Sequence, residues 1–408
     1  MSEAKTLQLP KEQFPSWDYF SVFSRNSNEL NSVGSAKRYS FFWARNGIYH
    51  ALRALRVSPG AHVLLPAYVC TAAVEPFAAF GAEVEFYEIG RDCKPDLAEI
   101  ESRIGPRTEA ILAVHYFGFP QKIHAFRELC DRHKLALVED CAHVLTGDIE
   151  GAPPGTFGDA SVFSWRKFLP IYDGAELRLN RRSDSLEVSW NKETIPFTLK
   201  VAKCLLDRIF EQSSGGVLGH LSNVLESMKS VWRRANAIPV GQPLLGLDSN
   251  QASLDAALLN QRISRVSRFL LRHSDIPAVA KRRRENYLFL QNGFRGMKGI
   301  QPLHPNLPPN VCPWVYPLFF DGIANAHFFL REIGIPAVTW GGVRPHGLNP
   351  GRYPNADFLY DNLVFLPVHQ NLPRRSLDRV VEAVASVAAG RGLETHSRSH
   401  PVAMQTSK

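Results

Sequence analysis

The residue best suited to covalent chemistry is Lys167, which closes the run Phe163-Ser164-Trp165-Arg166-Lys167. A lysine that follows a buried strand loses part of its water. Desolvation and a nearby cation lower the pKa of an amine, which it needs before it can attack an aldehyde. Arg166 is adjacent, but a regular strand would point it the opposite way, so no role is assigned to it. A second group is Val138-Glu139-Asp140-Cys141-Ala142-His143, in which a strand ends on acids and a histidine lies three positions beyond Asp140. Two acids there could hold magnesium, or Asp140 and His143 could be half of a catalytic triad. Neither idea finds its other parts: there is no GxSxG elbow, and no third carboxylate or second histidine nearby at metal spacing. No metal is therefore expected. A carboxylate in this place can also pair with the protonated nitrogen of a pyridine ring and keep the ring cationic, ready to accept electrons from a carbanion. The third group, Ala44-Arg45-Asn46-Gly47-Ile48-Tyr49, opens a helix, and unpaired N–H groups at a helix start can hold a phosphate. Any α/β chain has several such starts, and most single lysines are surface residues.

These groups need elements to position them, and the sequence supplies an alternating series. Helical spacing over Asn46 to Leu55, Val74 to Phe80, Leu97 to Ile104 and Ile123 to His133 is interleaved with apolar runs. Those runs, at Val63 to Leu65, Glu83 to Tyr87, Ala110 to Tyr116, Ala136 to Val138 and Ala160 to Ser164, read as strands. The cadence predicts an α/β domain with a mainly parallel sheet sandwiched by helices, and its site at the C-terminal strand ends. Residues 1–250 are assigned to this large domain, with a helical insert at about 185–245. In the insert, Phe197 to Phe210 is amphipathic, Ser213 to Gly216 breaks it, and Leu225 to Trp232 forms a second piece. A helical hairpin that covers the site or packs on a partner subunit is expected there, with a membrane-surface helix as the alternative. One or two long helices should connect at 251–295, followed by a small α+β C-terminal domain at 296–395 and a disordered tail at 396–408.

Composition narrows the class. With 45% hydrophobic and 21% charged residues, the chain is an ordinary globular protein. Its most apolar stretch, Val63 to Phe80, is broken by Pro66, Glu75 and Pro76, so no integral membrane segment is expected. The charged, run-free first twenty residues argue against a secretory signal. Six scattered cysteines without a CxxC point to reduced thiols in the cytoplasm. A net charge of +8 favours acidic small molecules such as phosphates and sugar nucleotides. The basic clusters Arg181-Arg182, Arg233-Arg234 and Lys281 to Arg284 are short and separate, so no nucleic-acid partner is expected.

The order of the motifs over residues 41 to 180 resembles the DegT/DnrJ/EryC1/StrS family of sugar aminotransferases, which are fold-type I pyridoxal-phosphate enzymes. The resemblance is carried by VLLPAYVCTAAVEPFAAFGAEVEFYEIGRDCKPDLAEIESRIGPRTEAILAVHYFGFP at 63–120, VEDCAH at 138–143 and GDASVFS at 158–164. Looser support comes from LPVHQNL at 366–372 and the helix ending in RRRENY. The resemblance implies that Asn46, Gly47 and Ile48 begin the phosphate-binding helix and that Asp140 pairs with the pyridine nitrogen. It also implies that His143 lies near the cofactor's 3'-oxygen, that Ser164 lies near the phosphate, and that Lys167 forms the internal aldimine and shuttles the proton.

The chain departs from the family pattern in several places. Lys167 follows Ser164 by three residues where five is common, although it is the only lysine between Lys134 and Lys192. Asp173-Gly174-Ala175 has a single glycine where two are common. Cys70 stands where an aromatic residue often stacks on the cofactor, with Tyr68 or Tyr116 as substitutes. The cross-subunit asparagine-tyrosine-arginine motif is not recognisable, and Asn250 is the candidate in its region. Arg344 and His346, in a turn-rich stretch, are candidate substrate contacts together with Tyr116. The resemblance thus implies a homodimer that moves an amino group from glutamate to a nucleotide-linked keto sugar. A pyridoxal- or pyridoxamine-phosphate sugar dehydratase and a non-catalytic nucleotide-sugar or protein-binding module are the alternatives.

Overall fold

The computed structural model describes residues 9, 17–20, 36–149, 151–181, 185–212, 254–340 and 344–390. Apolar runs too short for a helix and without alternation form the middle of a sheet, where both faces are covered. Strands β1 (Lys37–Phe41), β2 (His62–Pro66), β3 (Glu83–Tyr87), β4 (Thr108–Val114), β5 (Ala136–Cys141), β6 (Ala160–Ser164) and β7 (Ala175–Leu179) build one seven-stranded sheet. Its order is β1-β7-β6-β5-β4-β2-β3. The β3-β2-β4-β5-β6 pairs are all parallel, and β7 runs antiparallel to β6 and β1. Helices α1 (Ala44–Ala54), α2 (Thr71–Phe80), α3 (Leu97–Ser102) and α4 (Ile123–His133) make the connections. The α/β sheet expected from the sequence is present. β1 and β7 lie outside the predicted strands because charges interrupt them: Arg178 is buried across the Phe163 ring, 4.0 Å from its centre, and donates to Glu176.

Beyond the sheet, α5 (Ile195–Gln212) forms the first half of the predicted insert. Phe197, Val201, Cys204 and Leu205 pack on Phe42 and Tyr172, whereas Ile195, Leu199 and Leu206 face outward and are half or more exposed. The second half, Leu225 to Trp232, the Ser213 to Gly216 break, Asn250 and the 396–408 tail lie outside the described residues. The long connection resolves into α6 (Arg265–Arg272) and α7 (Ile276–Gly293). It breaks there because Asp275 caps the second helix, accepting the Ala278 N–H, and Pro277 sits in its first turn. A second, antiparallel sheet of order β10-β9-β8 comes next, made from β8 (Ile300–Pro302), β9 (Val315–Phe320) and β10 (Val364–Pro367). It is accompanied by α8 (His327–Glu332), α9 (Pro354–Asn362) and α10 (Arg374–Ala388). One continuous buried core runs through both sheets.

Two local features join the large sheet to the C-terminal half of the chain. After β4 the chain turns through Phe117 (φ 58°) and Gly118 (φ 97°), and the Phe117 carbonyl accepts the Trp314 N–H at 2.8 Å. A Cβ at Gly118 would overlap the Cys312 carbonyl, so the close approach of the two segments requires glycine. Before β7, buried Asp173 accepts from the Ser264 N–H (2.8 Å), the Ser264 hydroxyl (2.7 Å) and the Ser267 hydroxyl (3.0 Å), tying this turn to the start of α6.

Replacing Gly118 by Ala should destabilise the chain by about 2–4 kcal/mol, measured by urea unfolding, because a left-handed backbone and a steric overlap act together. Burial raises the Asp173 pKa from 3.8 to about 6, against the bonds from Ser264 and Ser267 that lower it. A carboxyl whose folded pKa is raised favours folding when protonated, so its contribution falls as pH rises from about 4 through about 6. The difference in unfolding free energy between wild type and Asp173→Asn should therefore shrink between about pH 4.5 and about pH 7. The limit is roughly 3 kcal/mol.

Candidate active site

Parallel pairing sets the ends of β4, β5 and β6 side by side, with Asp140 opposite Val114 on one side and Val162 on the other. The residues that follow each strand therefore converge at one edge. Beyond β6 the chain does not continue as a strand. It tightens into the 3-10 turn Trp165–Lys167, and the Phe168 and Leu169 N–H groups both close on the Trp165 carbonyl. The turn brings the Lys167 amine inward until its Nζ lies 4.9 Å from the centre of the Trp314 ring. Burial lowers the Lys167 pKa, Cys70 and Asp140 oppose this, and Arg166 and Arg45 reinforce it. In the turn, unlike in a regular strand, Arg166 thus acts on Lys167 in the direction the chemistry needs.

Asp140 is buried, and its Oδ1 accepts the Ala142 N–H at 2.8 Å. Burial raises its pKa, while the Lys167 charge and the Ala142 N–H hold it down. His143 stacks on Trp314, with ring centres 4.1 Å apart and planes within 14°, and parallel to Phe117 on a wider spacing. Burial, and then the Lys167 charge, push its pKa well below the usual histidine value. Its Nδ1 accepts the Phe117 N–H at 3.3 Å, which leaves the hydrogen of the neutral ring on Nε2. His143 is thus set up as a hydrogen-bond donor.

At the start of α1, the Asn46 and Gly47 N–H groups are directed to the Trp43 carbonyl, which places Asn46 to Ile48 inside the first turns rather than at the free end. The Asn46 amide donates to the Leu258 and Leu259 carbonyls. Gly47 packs close to Val162 of β6, and Ile48 is buried. Among the described residues, the Ala44 N–H at the head of the helix is left for an anion. Arg45 is buried and paired with Glu75 at 2.8 Å. Among the described residues, buried Trp43 Nε1 and Thr71 Oγ1 have no hydrogen-bond partner. Cys70 caps the start of α2, within electrostatic reach of Lys167, Asp140 and Arg45, and its thiol pKa is raised by burial. Ser164 ends β6, buried. Trp43, Arg45, Thr71 and Trp314 carried no signal in the sequence beyond proximity to a motif.

Other candidates are drawn into packing. Tyr116 is buried and its hydroxyl donates to the Tyr68 carbonyl. Tyr68 is itself buried among Tyr116, Trp340 and Tyr360. The Arg344 fork pairs with Asp357 and with Asp361 (3.0 Å), anchoring it to α9. His346 is exposed in its turn. His115, remote in sequence, comes within 4.8 Å of the ligand atoms of Glu139 and Cys141. Each of these groups has internal work. The His115 Nδ1 accepts the Gln121 N–H, so Nε2 carries its hydrogen to Glu139 at 3.1 Å. The other Glu139 oxygen accepts from the Phe157 and Gly158 N–H groups. Burial pushes the Cys141 thiol well up, away from the thiolate a metal requires. The cluster anchors the loop that leads into β6.

Residues 43–172 match the model of the DegT/DnrJ/EryC1/StrS aminotransferase family. GDP-perosamine synthase of Vibrio cholerae is 35% identical over 119 residues, which is 29% of this chain and 32% of that protein. UDP-N-acetyl-3-dehydro-alpha-D-glucosamine 3-aminotransferase of Acidithiobacillus ferrooxidans is 37% identical over 116 residues, 28% and 31% of the two chains. These matches thus span about a third of the curated relatives' length. The fold extends further. A putative sugar aminotransferase from Streptococcus pneumoniae, solved in its PLP form, superposes over 87% of this chain and 88% of its own. The TM-score is 0.61 at 17% identity, which establishes the fold-type I architecture for the described structure. Residues 43–172, the stretch that carries Lys167, Asp140 and His143, are thus similar to the DegT/DnrJ/EryC1/StrS aminotransferase family.

Proposed function

We propose that this protein is a pyridoxal-phosphate-dependent aminotransferase that transfers an amino group from glutamate to a nucleotide-linked keto sugar, working as a cytoplasmic homodimer. The observation that carries the proposal is the meeting of a half-buried Lys167, its pKa lowered by desolvation, with buried Asp140 at the ends of adjacent strands. The residues present suit the cofactor. Asp140 supplies the carboxylate for a pyridinium nitrogen, and neutral His143 offers Nε2–H to a phenolic oxygen. The Ala44 N–H at the head of α1, with unpartnered Trp43 Nε1 and Thr71 Oγ1, would suit a phosphate. Bound pyridoxal phosphate supplies an electron sink for the carbanion left when a substrate carbon loses its proton.

Lys167 does the proton work. Its lowered pKa gives a larger share of neutral amine than an ordinary lysine has, and neutral Nζ can take a proton from the substrate α-carbon and give it back. The Trp314 ring shields one side of that amine from water. Nucleotide-sugar specificity is supported by the names of the relatives, one of which makes a GDP-linked sugar. All six cysteines are unpaired, which supports a reducing compartment. The outward apolar stripe of α5, Ile195, Leu199 and Leu206, supports a partner subunit.

Adding pyridoxal phosphate should give an absorbance band near about 410–430 nm, and borohydride followed by peptide mass mapping should fix the cofactor on Lys167. Lys167→Ala should abolish both the adduct and turnover. Asp140→Asn should keep the adduct and lower kcat by about 100-fold or more. Because the Lys167 pKa is depressed, the rising limb of the pH–rate profile should fall below the ordinary lysine value of 10.5. A band without an amino-sugar product would favour the dehydratase, and no band with tight nucleotide-sugar binding would favour the binding module. Leu199→Glu should shift the sedimentation of the protein from dimer toward monomer, by a factor of about 10 or more in Kd.

A further inference from the structure

The shortened link between Ser164 and Lys167 raises the question of what holds the lysine turn, and a buried arginine in α7 supplies an answer. Arg283 is 1% exposed, and among the described residues no carboxylate pairs with it. Its guanidinium instead donates to backbone carbonyls from two separate segments. Nη2 reaches the carbonyls of Lys167 and Phe168, both at 3.4 Å, and Nη1 reaches those of Trp314 (3.0 Å) and Pro313 (3.5 Å). Nε donates to the Gln370 Oε1 at 3.1 Å, and Gln370 returns its amide to the Phe168 carbonyl at 2.9 Å. The Phe168 ring lies under the fork, 4.8 Å from its centre.

We propose that Arg283 is a positioning residue for Lys167, fixing the backbone of the lysine turn and the Trp314 segment relative to each other with one planar fork. The inference rests on Lys167 being the residue that holds the cofactor. A buried cation without a counter-ion is costly, and an apolar side chain of similar volume would usually be at least as stable there. The bonds it makes are the ones that decide where the amine points, since two of them end on the peptide carbonyls of Lys167 and its successor. Two others end on the segment whose indole shields Nζ. Lysine cannot replace it, because an ammonium is a point donor that lacks the rigid fork needed to bridge two segments. The same span explains how a three-residue link serves here: the turn is held from outside by Arg283 and Gln370, in addition to its own N–H closures on Trp165.

The test compares Arg283→Lys and Arg283→Met with Arg284→Ala. Arg284 neighbours it on the same helix and donates to the Pro308 and Val311 carbonyls, away from the lysine turn. The first readout uses the full chain without cofactor: competitive acetylation of Lys167 by acetic anhydride across pH, mapped by mass spectrometry. The expected result is a Lys167 midpoint about one pH unit higher in both Arg283 variants, because a loosened turn lets water reach the amine. With cofactor, kcat should fall at least about tenfold, with the donor KM within about threefold. Arg284→Ala should lower Tm without moving either quantity. If the Arg283 variants show the wild-type midpoint and the same kcat as Arg284→Ala, the positioning role is overturned and Arg283 is a stabilising residue only. Should neither Arg283 variant fold, Gln370→Met removes one acceptor and one donor of the clamp and is read in the same way. Failure of wild type to attach the cofactor at Lys167 would overturn the proposed function, while the acetylation midpoint still reports on the clamp.

Discussion

A partly desolvated amine next to a buried carboxylate is the constraint around which this molecule is arranged. Burial pushes Lys167 and Asp140 toward their neutral forms, and each one's charge restores the other. Such a pair is sensitive to geometry, because in a low-dielectric surrounding a small change of separation alters the balance much more than it would in water. The surrounding structure therefore has to be rigid. Parallel strands with central, fully buried backbones provide that rigidity at the ends of β5 and β6.

Three polar side chains around the site are used on backbone. Glu139 anchors the Phe157-Gly158 loop that feeds β6, Asp173 anchors the start of α6, and Asn46 anchors the Leu258-Leu259 segment. Each joins segments far apart in sequence and satisfies backbone groups that an irregular chain would otherwise bury unpaired. The small sheet is drawn onto the same edge through Gly118, where only a glycine lets the Cys312 carbonyl approach. Trp314 is thereby laid across both His143 and Lys167.

The departures from the family pattern have physical consequences. Cys70 puts a thiol, not an aromatic face, at the start of α2, and neither Tyr68 nor Tyr116 replaces it, because both are packed into the aromatic group around Trp340 and Tyr360. Stacking in this site is instead concentrated on the other elements, in the layered rings of Phe117, His143 and Trp314. At the start of α1, Ile48 has no hydroxyl to offer an anion, and the indole of Trp43 and the hydroxyl of Thr71 are the side-chain donors left unused nearby.

The sequence by itself determined the α/β architecture and the identity of the groups that meet at its edge. Unbroken apolar runs have no stable place outside a buried sheet, and Lys167 and Asp140 follow such runs directly. It also marked the helix Ile123–His133 and, from Val74 onward, the helix Thr71–Phe80 through their spacing. Charge-bearing strands such as Ala175–Leu179 escaped it, because Arg178 is made acceptable inside the protein by the Phe163 ring and the Pro154 carbonyl, which the fold supplies, together with Glu176 of its own strand. The charge effect of Arg166 on Lys167, the tautomer of His143, the pairing of Arg344 with α9 and the clamp made by Arg283 were decided by tertiary structure alone. Each depends on partners brought from distant segments, and local spacing along the chain carries no information about which carbonyl, ring or carboxylate will be waiting there.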